Sequence, residues 1–265
     1  MSDANQRLLA LLPSAHRLLG AQGVTPELIG GVAVHLRCEE LFEPEDELLD
    51  PTHPRRLATH VRSTNDIDLV VPENQLEVAR EALERASFSR VERVPFPPLR
   101  MRHGRDIVDL IACPPEAPAV MARADLGAVL ALLEDARTPL RVDGTELSVA
   151  TREALVVLKA VAWTDDPGRE GDLVDVARIA LLDRETSATA RALATLAAEL
   201  PAVIVSALRR LDGAFARDGS PGPATMVQSL RGAIPGLSLD DDLDLSIREV
   251  VCASVRELLG PALRR

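Results

Sequence analysis

Asp66 and Asp68 stand two residues apart in an otherwise apolar run, Asp66-Ile67-Asp68-Leu69-Val70-Val71. In an extended chain such residues share one face, about 7 Å apart along the backbone. Two like charges so placed repel each other, and each costs desolvation. A divalent cation removes both costs, so the pair predicts a metal site. Asp109 repeats the anomaly in Ile107-Val108-Asp109-Leu110-Ile111, where alternation puts it on the face of Ile107 and Ile111. Asp106 competes for the same role, but alternation sets it with Val108 and Leu110 near a turn. Three carboxylates from two strands suit one or two Mg²⁺ ions bridging a triphosphate, because Mg²⁺ takes oxygen ligands and shares them with phosphates. Two such ions about 3.5–4 Å apart stabilise the attacking and leaving oxygens of an in-line displacement.

Two further features fit that chemistry. Gly30-Gly31 follows the short apolar pair Leu28-Ile29 and opens a helical pattern. Glycines allow close backbone approach, and helix-start N–H groups favour phosphate. Of the thirty basic residues only Lys159 is a lysine. Under so strong an arginine bias, a lone lysine marks a place where a compact ammonium is needed, as at a phosphate. The plainer reading is a lysine that snorkels from an amphipathic helix.

The elements that must position these residues read as α+β. Residues 5–22 have a helical leucine pattern, interrupted at Pro13. Leu28-Ile29 is a strand, and a helix runs from Gly30 to about Cys38. Residues 39–60 lack periodicity and carry Pro44, Pro51 and Pro54, which suggests an insertion: a loop, a lid or a partly disordered segment. Thr64–Val71 is a strand, followed by a helix from Pro72-Glu73-Asn74 to about Ala86. Strands are expected near Phe88–Val94, Leu99–Arg102 and Ile107–Ala112, with prolines at 114, 115 and 118. A helix over Leu126–Ala136 and a hairpin on Asp143-Gly144 complete residues 1–150. From Thr151, as a helix cap, the chain reads as helical: Ala154–Trp163, Glu170–Asp183, Thr186–Leu200, Pro201–Ala216, a break at 218–223, and Leu243–Leu259. Two domains follow, an α/β domain over 1–150 and a helical domain over 151–265.

Composition bounds the function. The 265 residues are 46% hydrophobic and carry a net charge of −11, so a generic nucleic-acid coat is excluded while local basic patches are not. No apolar run approaches a membrane span. Met1–Gln6 has neither a basic end nor a small-residue cleavage site, and three dispersed cysteines indicate no disulfide framework. A cytoplasmic location is expected.

Taken together, Gly30-Gly31, the Asp66-Ile67-Asp68 strand and the later Asp109 resemble the nucleotidyltransferase superfamily with the polymerase-β-like fold. Within it, Leu28–Leu36, Arg62–Val71, Val108–Ile111 and Leu155–Trp163 through Gly171-Asp172-Leu173-Val174-Asp175 look like the AbiEii/AbiGii toxin-type nucleotidyltransferases. The resemblance implies a small mixed sheet with flanking helices followed by a helical C-terminal domain. It implies metal binding by Asp66, Asp68 and Asp109, phosphate contacts from Gly30 and Gly31, and a nucleotide contact from Lys159. Arg62 and Thr64, just before the metal pair, would orient it. The implied activity is Mg²⁺-dependent transfer of an NMP from an NTP to a hydroxyl or phosphate acceptor, tRNA or protein, with a cognate antitoxin as partner. The chain departs from that pattern in having Gly-Gly where toxin members often have Gly-Ser, in a longer gap from Gly31 to Asp66, and in Gly171 where relatives often carry a basic residue.

Other readings stay open. An acidic protein suits a polycationic acceptor such as an aminoglycoside, and a non-catalytic nucleotide- or partner-binding module is a third possibility. Asp172 and Asp175, at i and i+3, read as functional or as partners of Arg169 or Arg178. Arg85, Arg90, Arg93, Arg100, Arg102 and Arg105 with His103 are charged strand ends or contacts to phosphates of nucleotide or RNA. His53 and His60 have no evident partners, and Trp163 reads as core. Asp242-Leu243-Asp244 copies the Asp-x-Asp string but leads into a helix, where acids favour the N-terminal dipole.

Overall fold

The computed structural model describes residues 3–50, 52–60, 62–91, 99–113, 126–233 and 240–264. Its contacts divide the chain into two compact units, one of 1–33 with 63–151 and the other of 34–62 with 152–265. Among the described residues no helix is long and apolar enough to cross a membrane.

The first unit holds α1 (Asp3–Gly20), β1 (Glu27–Ile29), the start of α2 (Gly30–Glu39), β2 (Asp66–Pro72), α4 (Leu76–Arg85), β3 (Ser89–Arg90), β4 (Leu99–His103), β5 (Asp106–Cys113), α5 (Leu126–Leu132), β6 (Arg137–Val142) and β7 (Thr145–Ala150). The strands form one mixed sheet in the order β3-β4-β5-β2-β1-β7-β6. β2 runs parallel to β5 and β1 parallel to β7, while the other neighbours are antiparallel. Helices α1 and α4 pack on each other and against β2 and β5. Ile67, Leu69, Val71, Val108 and Leu110 are fully buried. Period-two alternation therefore puts Asp66, Asp68 and Asp109 on the opposite face.

The second unit adds α3 (Pro54–Ala58), α6 (Arg152–Asp165), α7 (Glu170–Asp183), α8 (Ala188–Ala197), α9 (Ala202–Gly213), α10 (Pro221–Ala233) and α11 (Asp241–Leu263). α7 touches α3, α6, α8, α10 and α11 and is buried from Asp172 through Asp183. A helix enclosed on all sides is apolar all round, and Leu173-Val174, Val176-Ala177 and Ile179–Leu182 supply that surface.

Several expectations are corrected. Pro13 lies inside a continuous α1, buried alongside Leu8, Leu12 and Leu19. Packing of that stripe outweighs the missing backbone donor. Residues 39–60 are not a bare loop. A 3-10 turn at Pro44–Leu48 and the short α3 are pinned together by Arg55, whose guanidinium donates to Asp46 at 2.7 and 2.9 Å and to the Leu41 carbonyl at 2.7 Å. The break expected at 218–223 ends at Ser220, and α10 begins at Pro221. Pro221 fits a first helical turn, and Gly222 lies so close to Phe215 that a Cβ there would sit 2.4 Å from the ring. The helix expected over Leu126–Ala136 ends at Leu132. Thr151 donates its backbone N–H to Ala136, but its hydroxyl makes no capping bond. The strand expected over Phe88–Val94 is Ser89–Arg90; residues 92–98, with Arg93, and the prolines at 51, 114, 115 and 118 lie outside the described residues.

Candidate metal and nucleotide site

β2 and β5 pair in a register that sets Asp68 beside Asp109 and Asp66 beside Ile107. Carboxylate oxygens of Asp66, Asp68 and Asp109 lie within 4.8 Å of one another. On its far side Asp109 faces Arg100 of β4. The Arg100 guanidinium donates to both Asp109 oxygens, at 2.8 and 2.6 Å, and reaches Asp66 at 3.5 Å. One row across four strands thus reads Ile29, Asp68, Asp109, Arg100. Asp109 is buried and Asp66 about a third exposed. Burial pushes the Asp109 carboxyl above its ordinary value, and the Arg100 hydrogen bonds and charge oppose that shift without cancelling it.

Gly30 closes the other flank. Its φ is +75°, a conformation L side chains rarely adopt, and an added Cβ would stand 1.9 Å from Asp68 Oδ2. The backbone turns from β1 into α2 directly against that carboxylate. The first N–H groups of a helix have no intrahelical partner and attract anions. Three oxygen donors of this kind, two of them open to solvent, fit a hard divalent cation. Arg100 already supplies part of the positive charge such an ion would bring.

The sequence matches no protein-family model and no curated protein. Two solved structures of the antibiotic-resistance factor ANT(2″)-Ia resemble the chain broadly. A solution structure is 12% identical, covers 72% of this chain and 90% of its own, and has a TM-score of 0.45. A crystal structure in complex with adenylyl-2″-tobramycin is 13% identical, covers 76% and 97%, and has a TM-score of 0.46.

In the second unit Lys159 does not snorkel. Only 5% exposed, its ammonium lies 2.7 Å from Asp172 and 2.8 Å from Asp175. Burial alone would lower the Lys159 pKa, but Asp175 and Asp172 hold it above its ordinary value. Asp175 is pressed upward by burial yet held at about 2 by Lys159 and Arg62. Arg62 donates to both Asp175 oxygens, at 2.9 and 2.7 Å. Arg169 donates to Asp172 at 2.8 Å, and Arg178 instead donates to the Ala58 carbonyl at 3.2 Å. Gly171 leaves room for Arg62, whose Cζ would be 3.0 Å from a Cβ there. The position that resemblance expects to be basic therefore lies under a guanidinium delivered from Arg62.

Other candidates fall out singly. Thr64 is buried, and its N–H donates to Asn5 of α1 at 2.9 Å, a contact that no spacing rule would reveal. His60 has a partner after all, with Nε2 at 3.0 Å from the Ser229 hydroxyl. Trp163 is half-buried. The copied string sits in the first turn of α11. Asp240 caps that helix through the Leu243 N–H at 2.9 Å, and Asp244 pairs with Arg231 and Arg248. Arg100 itself was legible only as one member of a basic stretch. The signal for it is the alternation Leu99-Arg100-Met101-Arg102, which sends both arginines to one face.

Proposed function

We propose that the protein is a divalent-metal-dependent nucleotidyltransferase, moving an NMP from an NTP to an acceptor and releasing pyrophosphate. The clustering of the Asp66, Asp68 and Asp109 oxygens within 4.8 Å, with the Gly30 turn against Asp68, carries the reading. Asp66, Asp68 and Asp109 would hold one or two Mg²⁺ ions, which supply charge neutralisation for the transferring phosphoryl group. Gly30 and Gly31 bring helix-start N–H groups to the donor's phosphates. The acceptor oxygen bonds to the α-phosphorus as the bond to the α–β bridging oxygen breaks, and pyrophosphate leaves with that electron pair. Asp109, its carboxyl already pressed towards protonation by burial, receives the acceptor's proton. Positioning and preorganised charge supply most of the rate. Lys159 and Arg62 enter this reading as the cations that hold Asp172 and Asp175 in the second unit, and through them α6 against α7.

The toxin-type assignment, with its antitoxin, rests on the sequence strings quoted above. The experiment is incubation of the purified chain with each labelled NTP and Mg²⁺, offering total RNA, cell protein and aminoglycosides as acceptors. Label should enter one pool and be lost in Asp66→Asn. No labelling, together with no metal-dependent NTP binding, would sink the reading.

A further inference from the structure

Arg100 sits between two of the three clustered carboxylates. Its neighbours Leu99 and Met101 are buried, which fixes β4 and sends the arginine to the other face of the sheet, that of Asp66, Asp68 and Asp109. Nε donates to Asp109 Oδ1 at 2.8 Å and Nη2 to Asp109 Oδ2 at 2.6 Å, so one planar fork takes both oxygens of that carboxylate. The same Nη2 reaches Asp66 Oδ2 at 3.5 Å. One guanidinium nitrogen thus lies between oxygens of Asp66 and Asp109, the two side chains that an ion bridging β2 and β5 on this flank would share.

Charge and position divide the site into two places. With all three carboxylates ionised, the fixed charge of Arg100 offsets one of them, and the two negative charges left match a single divalent ion. On the β1 side Asp68 Oδ2 faces the Gly30 turn, where helix-start N–H groups suit a triphosphate and the ion it carries. On the β4 side Arg100 fills the place between Asp66 and Asp109. A guanidinium suits that duty, since it stays charged at any working pH and its fork matches a carboxylate. With 29% of its side chain open to solvent, it is also within reach of a reactant. In a two-ion site the second ion steadies the attacking oxygen of the displacement. Preorganised positive charge does the same work without a metal.

We infer that the site takes one divalent ion rather than two, and that Arg100 stands in the place of the second. This rests on the nucleotidyltransferase reading and fixes the metal count of its site. Mn²⁺ bound per chain is counted by equilibrium dialysis, first alone and then with the α,β-methylene analogues of ATP, CTP, GTP and UTP, which cannot be split at the α–β bond. Electron paramagnetic resonance of the same samples separates a lone ion from a pair, because two Mn²⁺ about 4 Å apart couple magnetically. The parent should hold one uncoupled ion. Arg100→Ala, its fold checked by circular dichroism, should hold a coupled pair, and Arg100→Lys, which keeps a positive charge there, should return to one ion. A coupled pair in the parent would overturn the inference without any variant and leave the nucleotidyltransferase reading standing. A single ion in Arg100→Ala, or a pair in Arg100→Lys, would overturn it as well, because charge at that place would then not decide the count. No bound ion in any of the three proteins would bring down both readings. The expected counts without NMP transfer to any acceptor would support the role of Arg100 and count against the enzyme.

Discussion

Arg100 and Asp109 stand directly opposite each other on β4 and β5, and one guanidinium grips both oxygens of the buried carboxylate. In the absence of a metal this contact offsets the repulsion among three clustered acids. It also competes with a cation for the same oxygens. Arg100→Gln should therefore lower stability in metal-free buffer by about 2 kcal/mol, less than a fully buried pair would cost because Arg100 is part-exposed. The same variant should bind Mn²⁺ more tightly and gain more thermal stability from it than the parent. Weaker Mn²⁺ binding on calorimetry would show that Arg100 organises the carboxylates rather than competing for them.

Gly30→Ala meets two penalties at once, the positive φ and the Asp68 carboxylate. Gly144 shares the φ of +75° but has open space where a Cβ would go. Gly144→Ala should cost about 1–2 kcal/mol from backbone strain alone. Gly30→Ala should cost clearly more and should also weaken Mn²⁺ binding, because Asp68 must move. Equal losses on denaturant titration would mean that the carboxylate yields freely.

Removing the ammonium at Lys159 leaves Asp172 and Asp175 with only arginine partners inside a buried helix. Lys159→Met should cost about 3–5 kcal/mol, the usual penalty for stranding buried charge. The triple variant with Asp172→Asn and Asp175→Asn should recover a good part of it. Urea denaturation of the three proteins checks this, and a mild Lys159→Met would reassign the residue from packing to ligand contact.

Glu27, buried on β1 with Arg137 at 3.4 Å, is pushed by desolvation from 4.5 up to about 7. The unfolded chain ionises this carboxyl above pH 4.5, whereas the folded chain does so only above about 7. Stability is thus undiminished below pH 4.5 and falls as pH rises to about 7, by on the order of 3 kcal/mol. Glu27→Gln should flatten that part of the profile, and an unchanged slope would remove Glu27 as its source.

The carboxylates on β2 and β5 were legible because strand alternation has a period of two, and a charge out of step with it is conspicuous. Helix α7 matched its expected span for a similar reason: Arg169 and Asp183 bracket a dense apolar run. The Arg100–Asp109 contact was not legible, since it needs the register of two strands and sequence periodicity carries none. Lys159 was conspicuous as a residue type, but its partners lie on another helix. α6 is apolar almost all round, so its pattern cannot say which way a lysine points. Pro13 and Pro221 misled in opposite ways: one is carried through a helix by packing, and the other begins one.

The burial of Lys159 has a practical corollary. As the chain's sole lysine, enclosed by two carboxylates, it leaves the folded protein with no lysine amine open to reagents. Acylating probes and amine cross-linkers will find that side chain only when α6 and α7 part. Its modification rate, followed by mass spectrometry, then counts the opening events of that helix pair.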